Sequence, residues 1–92
     1  MNEAPETARP FLPRGVRLSH DKARERWLLL APERIIEIDD VALAVLRLCD
    51  GRLDIAGMAE ELARSYTADR LEILADIRAM LGDLAAKGFV AL

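Results

Sequence analysis

Ninety-two residues, 52% hydrophobic and 32% charged, suit one small soluble domain rather than a disordered or fibrous chain. No apolar run approaches the roughly 18 residues of a spanning helix, and no basic start leads into an apolar stretch, so neither membrane insertion nor secretion is indicated and a cytoplasmic location is expected. Sixteen acidic residues against thirteen basic ones give a net charge of −3, the wrong sign for a phosphate-binding surface, while one cysteine forms no internal disulfide and one histidine no metal cluster.

Residues 1–13 hold Pro5, Pro10 and Pro13 among small and charged residues without a period, which predicts a mobile N-terminal tail, with Phe11 and Leu12 able to dock; the folded domain is expected over 14–92. After Gly15, Val16 and Leu18 alternate with Arg17 and Ser19 as a short strand with one wet face, and His20 to Glu25 reads as a polar connection. Trp27, Leu28, Leu29 and Leu30 form an apolar run too short for a helix and suited to a middle strand buried on both faces. Proline fixes φ and lacks an N–H, so Ala31-Pro32-Glu33 is expected to turn a hairpin into a third strand, Arg34 to Asp39, at one edge of the sheet. Along it, Ile36 and Ile38 share one face, and Ile35 and Glu37 the other.

The period then lengthens. Asp39 or Asp40 caps a helix in which Val41, Val45 and Leu48 form one apolar row and Ala42, Leu46 and Cys49 another; a helix apolar around most of its girth should be central, and Asp50-Gly51 ends it. Asp54 opens a second helix with Ile55, Met58, Ala59, Leu62, Ala63 and Tyr66 at helical spacing. Thr67 to Asp69 separate it from a third, whose stripe is Ile73, Leu74, Ile77, Met80, Leu81 and Leu84, ending near Lys87 and Gly88 before an apolar tail, Phe89 to Leu92. The fold expected is α+β and winged helix-turn-helix-like: a three-stranded antiparallel sheet followed by three helices.

No catalytic constellation or metal or cofactor site is found. His20 beside Asp21 reads as a solvated turn histidine and Cys49 as an inert core thiol, and there is no GxGxxG or phosphate loop. At 100° per residue, Glu72, Asp76 and Asp83 flank the third helix's core stripe on the solvent side. Leu71, Ala75, Arg78, Gly82 and Ala85 form the other flank, small enough for another backbone to approach. A winged helix makes nucleic acid the alternative partner, but those three carboxylates would meet phosphates with like charge, so no nucleic acid is expected.

LLAPERIIEIDDVALAVLRLCDG, with the helix after Asp54 and the closing ADIRAMLGDLAAKGFV, resembles the D proteins of pyrroloquinoline quinone (PQQ) biosynthesis, the PqqD family, from about Arg9 to Leu92. The most specific parts are LAPER, the acidic residue opening the central helix, LCDG, and the pattern met as Asp76, Leu81, Leu84 and Gly88; Ile38 stands where leucine is common. The resemblance implies a peptide chaperone without activity of its own, a recognition element that holds the PQQ precursor peptide and presents it to a radical S-adenosylmethionine enzyme. It implies further that the peptide adds as a strand beside the third strand, in a groove closed by the third helix. The peptide-binding residues expected are then Arg34, Ile35, Ile36, Glu37 and Ile38 on the strand and Leu71, Ala75, Arg78 and Gly82 on the helix. A monomer is expected, with dimers possible through edge-strand pairing or strand exchange.

Overall fold

The structure, a computed structural model, describes residues 3–92. Strands β1 (Arg17–Asp21), β2 (Arg26–Ala31) and β3 (Arg34–Ile38) form an antiparallel sheet in the order β1-β2-β3, followed by helices α1 (Asp40–Leu46), α2 (Ile55–Tyr66) and α3 (Arg70–Ala86). The expected architecture is therefore the observed one. Pro32 and Glu33 alone separate β2 from β3, with Glu33 at φ 62. Each helix starts on an aspartate whose carboxylate accepts a first-turn N–H: Asp39 from Ala42 at 2.8 Å, Asp54 from Gly57 at 2.8 Å and Asp69 from Leu71 at 3.0 Å. Among the described residues no helix is long and apolar enough to cross a membrane.

Helix α1 is shorter than its apolar rows suggest. Regular helix stops at Leu46, after which Leu48 and Cys49 donate to carbonyls three residues back, each at 3.1 Å, the tighter winding common at helix ends. Cys49 stays buried, and desolvation pushes its thiol up to about 12. Ellman's reagent should accordingly leave Cys49 untouched in native buffer and titrate it fully in denaturant; rapid native labelling would reveal local opening of this turn.

The core lies between one face of the sheet and the helices. Leu29 of β2 packs there with Leu46, Ile55, Met58, Ile77 and Leu81, and Leu18, Ile36 and Ile38 join from the same face. Contrary to expectation, β2 is not buried on both faces. The cross-strand register puts Leu28, Leu30, Ile35 and Glu37 on the opposite face; none of them joins the core, and Ile35 is 66% exposed. His20 is likewise not in a turn: it pairs with Trp27 across β1 and β2, the rings stack at 4.8 Å, and the Arg47 guanidinium sits 5.0 Å from the Trp27 ring centroid.

The largest departure is at the N-terminus. Met1 and Asn2 lie outside the described residues; the remainder of the segment expected as a mobile tail runs as a strap across the helical layer. The Ala8 and Glu6 carbonyls accept the first-turn N–H groups of Ile55 and Ala56, Gly51 donates to Pro10, and Phe11 exchanges two backbone hydrogen bonds with Ala91, each at 2.9 Å. Ala4 and Pro10 are buried. These carbonyls satisfy helix-end amides that water would otherwise have to take, which a sequence without a side-chain period can do through its backbone alone.

Candidate functional site

Among the described residues, strand β3 has β2 on one side and no strand on the other. In a two-residue hairpin the closing pair, here Ala31 and Arg34, exchanges both hydrogen bonds. Alternation along the ladder then leaves the N–H and C=O of Ile35 and Glu37 directed at the free edge. The strand thus presents two sets of unpaired backbone groups, spaced to receive another strand.

Two tie points set α3 relative to this edge. At the start of β3, the Arg34 guanidinium stacks on Phe89, 4.2 Å from the ring centroid, and donates to the carbonyl of Lys87 just past α3. Where β3 runs into α1, a nearly apolar cavity of about 260 Å³ separates α1 from α3. Val41, Ala44 and Val45 of α1 line it with Leu62 and Tyr66 of α2, Ala68, and Ile73, Asp76, Ile77 and Met80 of α3. Val41 and Tyr66 are 65% and 62% exposed at the rim, although helical spacing assigned both to core rows. Helix α3 therefore ends beside the start of β3, at Arg34, and turns the flank of Ile73, Asp76 and Met80 toward α1 across the cavity.

The five strand residues expected at the site, Arg34, Ile35, Ile36, Glu37 and Ile38, do form the free edge. The four helix residues, Leu71, Ala75, Arg78 and Gly82, are not among those that line the cavity. Arg78 lies roughly 160° around the helix from Asp76 at 3.6 residues per turn. The strap bonds it twice: the Arg78 carbonyl accepts from the Ala4 N–H at 2.9 Å, and Arg78 Nε donates to the Ala4 carbonyl at 2.8 Å. The Arg78 carbonyl, helical acceptor of the Gly82 N–H, is thus shared with the Ala4 N–H from outside the helix. The small flank does admit a close backbone, but that backbone is the chain's own. Leu71 and Ala75 remain exposed beyond it.

Sequence reasoning missed Val41, Ala44, Tyr66, Ile73, Asp76 and Met80 as one surface. The available signal was at the margin of α3's apolar stripe, where Ile73 and Met80 flank Asp76, the first residue of the quoted family pattern. Nothing favours nucleic acid: Glu72, Asp76 and Asp83 are all exposed.

Comparison with known proteins bears on this geometry. The family model described as Coenzyme PQQ synthesis protein D (PqqD) matches residues 26–90, from the start of β2 to the C-terminal tail. The chain belongs to the PqqD family. A "PqqA binding protein" of Rhodopseudomonas palustris (strain ATCC BAA-98 / CGA009) is 54% identical over 85 residues, covering 92% of this chain and 83% of the relative. Another from Xanthomonas oryzae pv. oryzae (strain KACC10331 / KXO85) is 40% identical over the full length of both. Among solved structures, the PqqD truncation of Methylobacterium extorquens PqqCD, described as a functional and stand-alone RiPP recognition element, is 48% identical. It superposes with a TM-score of 0.78, covering 90% of this chain and 88% of that one. PqqD from Xanthomonas campestris, a crystal structure, is 44% identical with a TM-score of 0.62, covering 88% and 90%.

Proposed function

We propose that this chain is a non-catalytic cytoplasmic adaptor of PQQ biosynthesis that binds the precursor peptide PqqA as a fourth strand against β3, with one apolar side chain in the cavity between α1 and α3, and holds it for the pathway's radical S-adenosylmethionine enzyme. The observation that carries this reading is the free edge of β3 ending at the mouth of an apolar cavity, in a chain whose relatives are named for binding PqqA. Backbone pairing with Ile35 and Glu37 gives affinity with little regard to sequence, each hydrogen bond contributing about 0.5–1.5 kcal/mol net. The cavity selects the register, because a one-residue slip would turn the anchoring side chain to the opposite face. The chain is a monomer in dilute solution; without peptide the same edge is free to pair with a second copy as concentration rises, and peptide suppresses that self-association.

Proline at residue 35 removes one edge-directed N–H and leaves the β2 ladder whole, a placement edge strands tolerate. Ile35→Pro should remain folded by circular dichroism and bind fluorescein-labelled PqqA several-fold more weakly by anisotropy, whereas Ile36→Pro, which breaks the β2 ladder, should lose the fold. Undiminished binding by a folded Ile35→Pro chain would remove the strand-addition reading. An Ala75→Leu chain should bind as the parent does; weakened binding there would return the peptide to the Leu71 and Arg78 flank.

A further inference from the structure

We infer that the peptide presents a cationic side chain, lysine or arginine, beside the apolar residue that enters the cavity, and that Asp76 is the residue that selects it. This rests on the placement of the peptide in that groove and adds to it the chemistry of what is chosen.

Among the described residues, Asp76 is the single carboxylate in a lining otherwise made of aliphatic side chains, Met80 and Tyr66. It is exposed, and among the described residues no lysine or arginine forms an ion pair with it. Asp83, two turns further along the same flank, by contrast pairs with Lys87 at 3.1 Å. Asp76 also caps no helix, unlike Asp39, Asp54 and Asp69, and it lies mid-helix, where the dipole gives a carboxylate no support. Glu72, one turn earlier on the same flank, and Asp40, adjoining Val41 across the cavity, are likewise exposed and outside the ion pairs of the described residues. The groove mouth therefore carries unopposed negative charge around an apolar hole.

An incoming acidic side chain would meet like charge here, and an uncharged one would leave Asp76 facing an apolar contact with part of its hydration removed. A cation on the residue flanking the anchor restores the lost hydration by pairing, and at the rim of a low-dielectric cavity such a pair is screened less than one in open water. Aliphatic burial thus supplies holding, and Asp76 supplies discrimination by repelling the wrong sign.

The test is anisotropy titration of fluorescein-labelled PqqA between about 50 and 500 mM NaCl, a range over which screening changes severalfold. Four chains are compared: the parent, Asp76→Asn, Asp76→Lys and Ala44→Leu, a cavity-filling change. The Asp76 variants sit on a solvent-facing helix position, and thermal melts confirm that they fold. We expect Asp76→Asn to weaken binding several-fold at low salt and to lose most of the salt dependence. Asp76→Lys should weaken it by tenfold or more, with binding now improving as salt rises. The loss in Ala44→Leu should be independent of salt. If Asp76→Lys binds as the parent does, or more tightly, while Ala44→Leu is impaired, the cation is wrong and the groove stands. If Ala44→Leu and Ile35→Pro both bind normally, the groove itself is wrong.

Discussion

Ala44→Leu should keep its fold and lose peptide affinity by about 10- to 100-fold, equivalent to about 1.4–2.8 kcal/mol. Ala44 lies on α1, half-buried at the wall of the cavity, and leucine is among the better helix formers. Enlarging a side chain in a packed core usually costs stability, but here the added atoms enter about 260 Å³ of space already open between α1 and α3. The variant should melt at or above the parent's temperature, because new apolar contacts form with Ile73, Ile77 or Met80 across the gap. What is lost is the volume the peptide's anchoring side chain would occupy. Isothermal titration with PqqA, alongside a thermal melt, separates the two effects, and a folded Ala44→Leu chain with parental affinity would leave the cavity without a role.

Deleting residues 1–9 should lower stability by about 1–3 kcal/mol, a fall in melting temperature of roughly 5–20 °C for a domain of this size. The deletion strips the Ala8 and Glu6 carbonyls from the first-turn amides of Ile55 and Ala56, removes both hydrogen bonds between Ala4 and Arg78, and uncovers the surface beneath Ala4. Release of the ordered strap's conformational entropy offsets part of the loss, which holds the net effect below the sum of its contacts. Peptide affinity measured well below the melting temperature should not change, because the strap and the groove occupy opposite flanks of α3. A true mobile tail would predict no shift in melting at all.

The strands, the Pro32 hairpin and the three helices were legible because each is written in side-chain period and punctuation: alternation in Ile36 and Ile38, a proline at the turn, an aspartate before each helix. The strap was not legible, since Glu6, Ala8 and Pro10 act through backbone carbonyls that every residue carries, and such pairing leaves no compositional trace. The strand half of the site followed from the edge position of β3. On the helix half the small residues were read for close backbone approach, and the backbone the structure brings to that flank is the chain's own, at Ala4. A helical wheel separates the two flanks of α3 without saying which one faces β3. Tertiary geometry bears on that, through the Arg34 bond to Lys87 and the cavity that Val41 and Ile73 both line. Tyr66 and Val41 fit apolar rows in sequence yet are exposed, because a rim position satisfies helical spacing as well as a core position does.

The central claim, that PqqA joins the sheet at β3, is tested most directly by amide hydrogen exchange followed by NMR with and without saturating peptide. Ile35 and Glu37, whose N–H groups face the free edge, should exchange readily in the free chain and become strongly protected in the complex. Arg34, Ile36 and Ile38, already bonded to β2, should change far less. Methyl signals of Ile73 and Met80 should shift on binding while those of Leu71 stay in place. Saturation with peptide that leaves Ile35 and Glu37 exchanging as in the free chain would contradict strand addition.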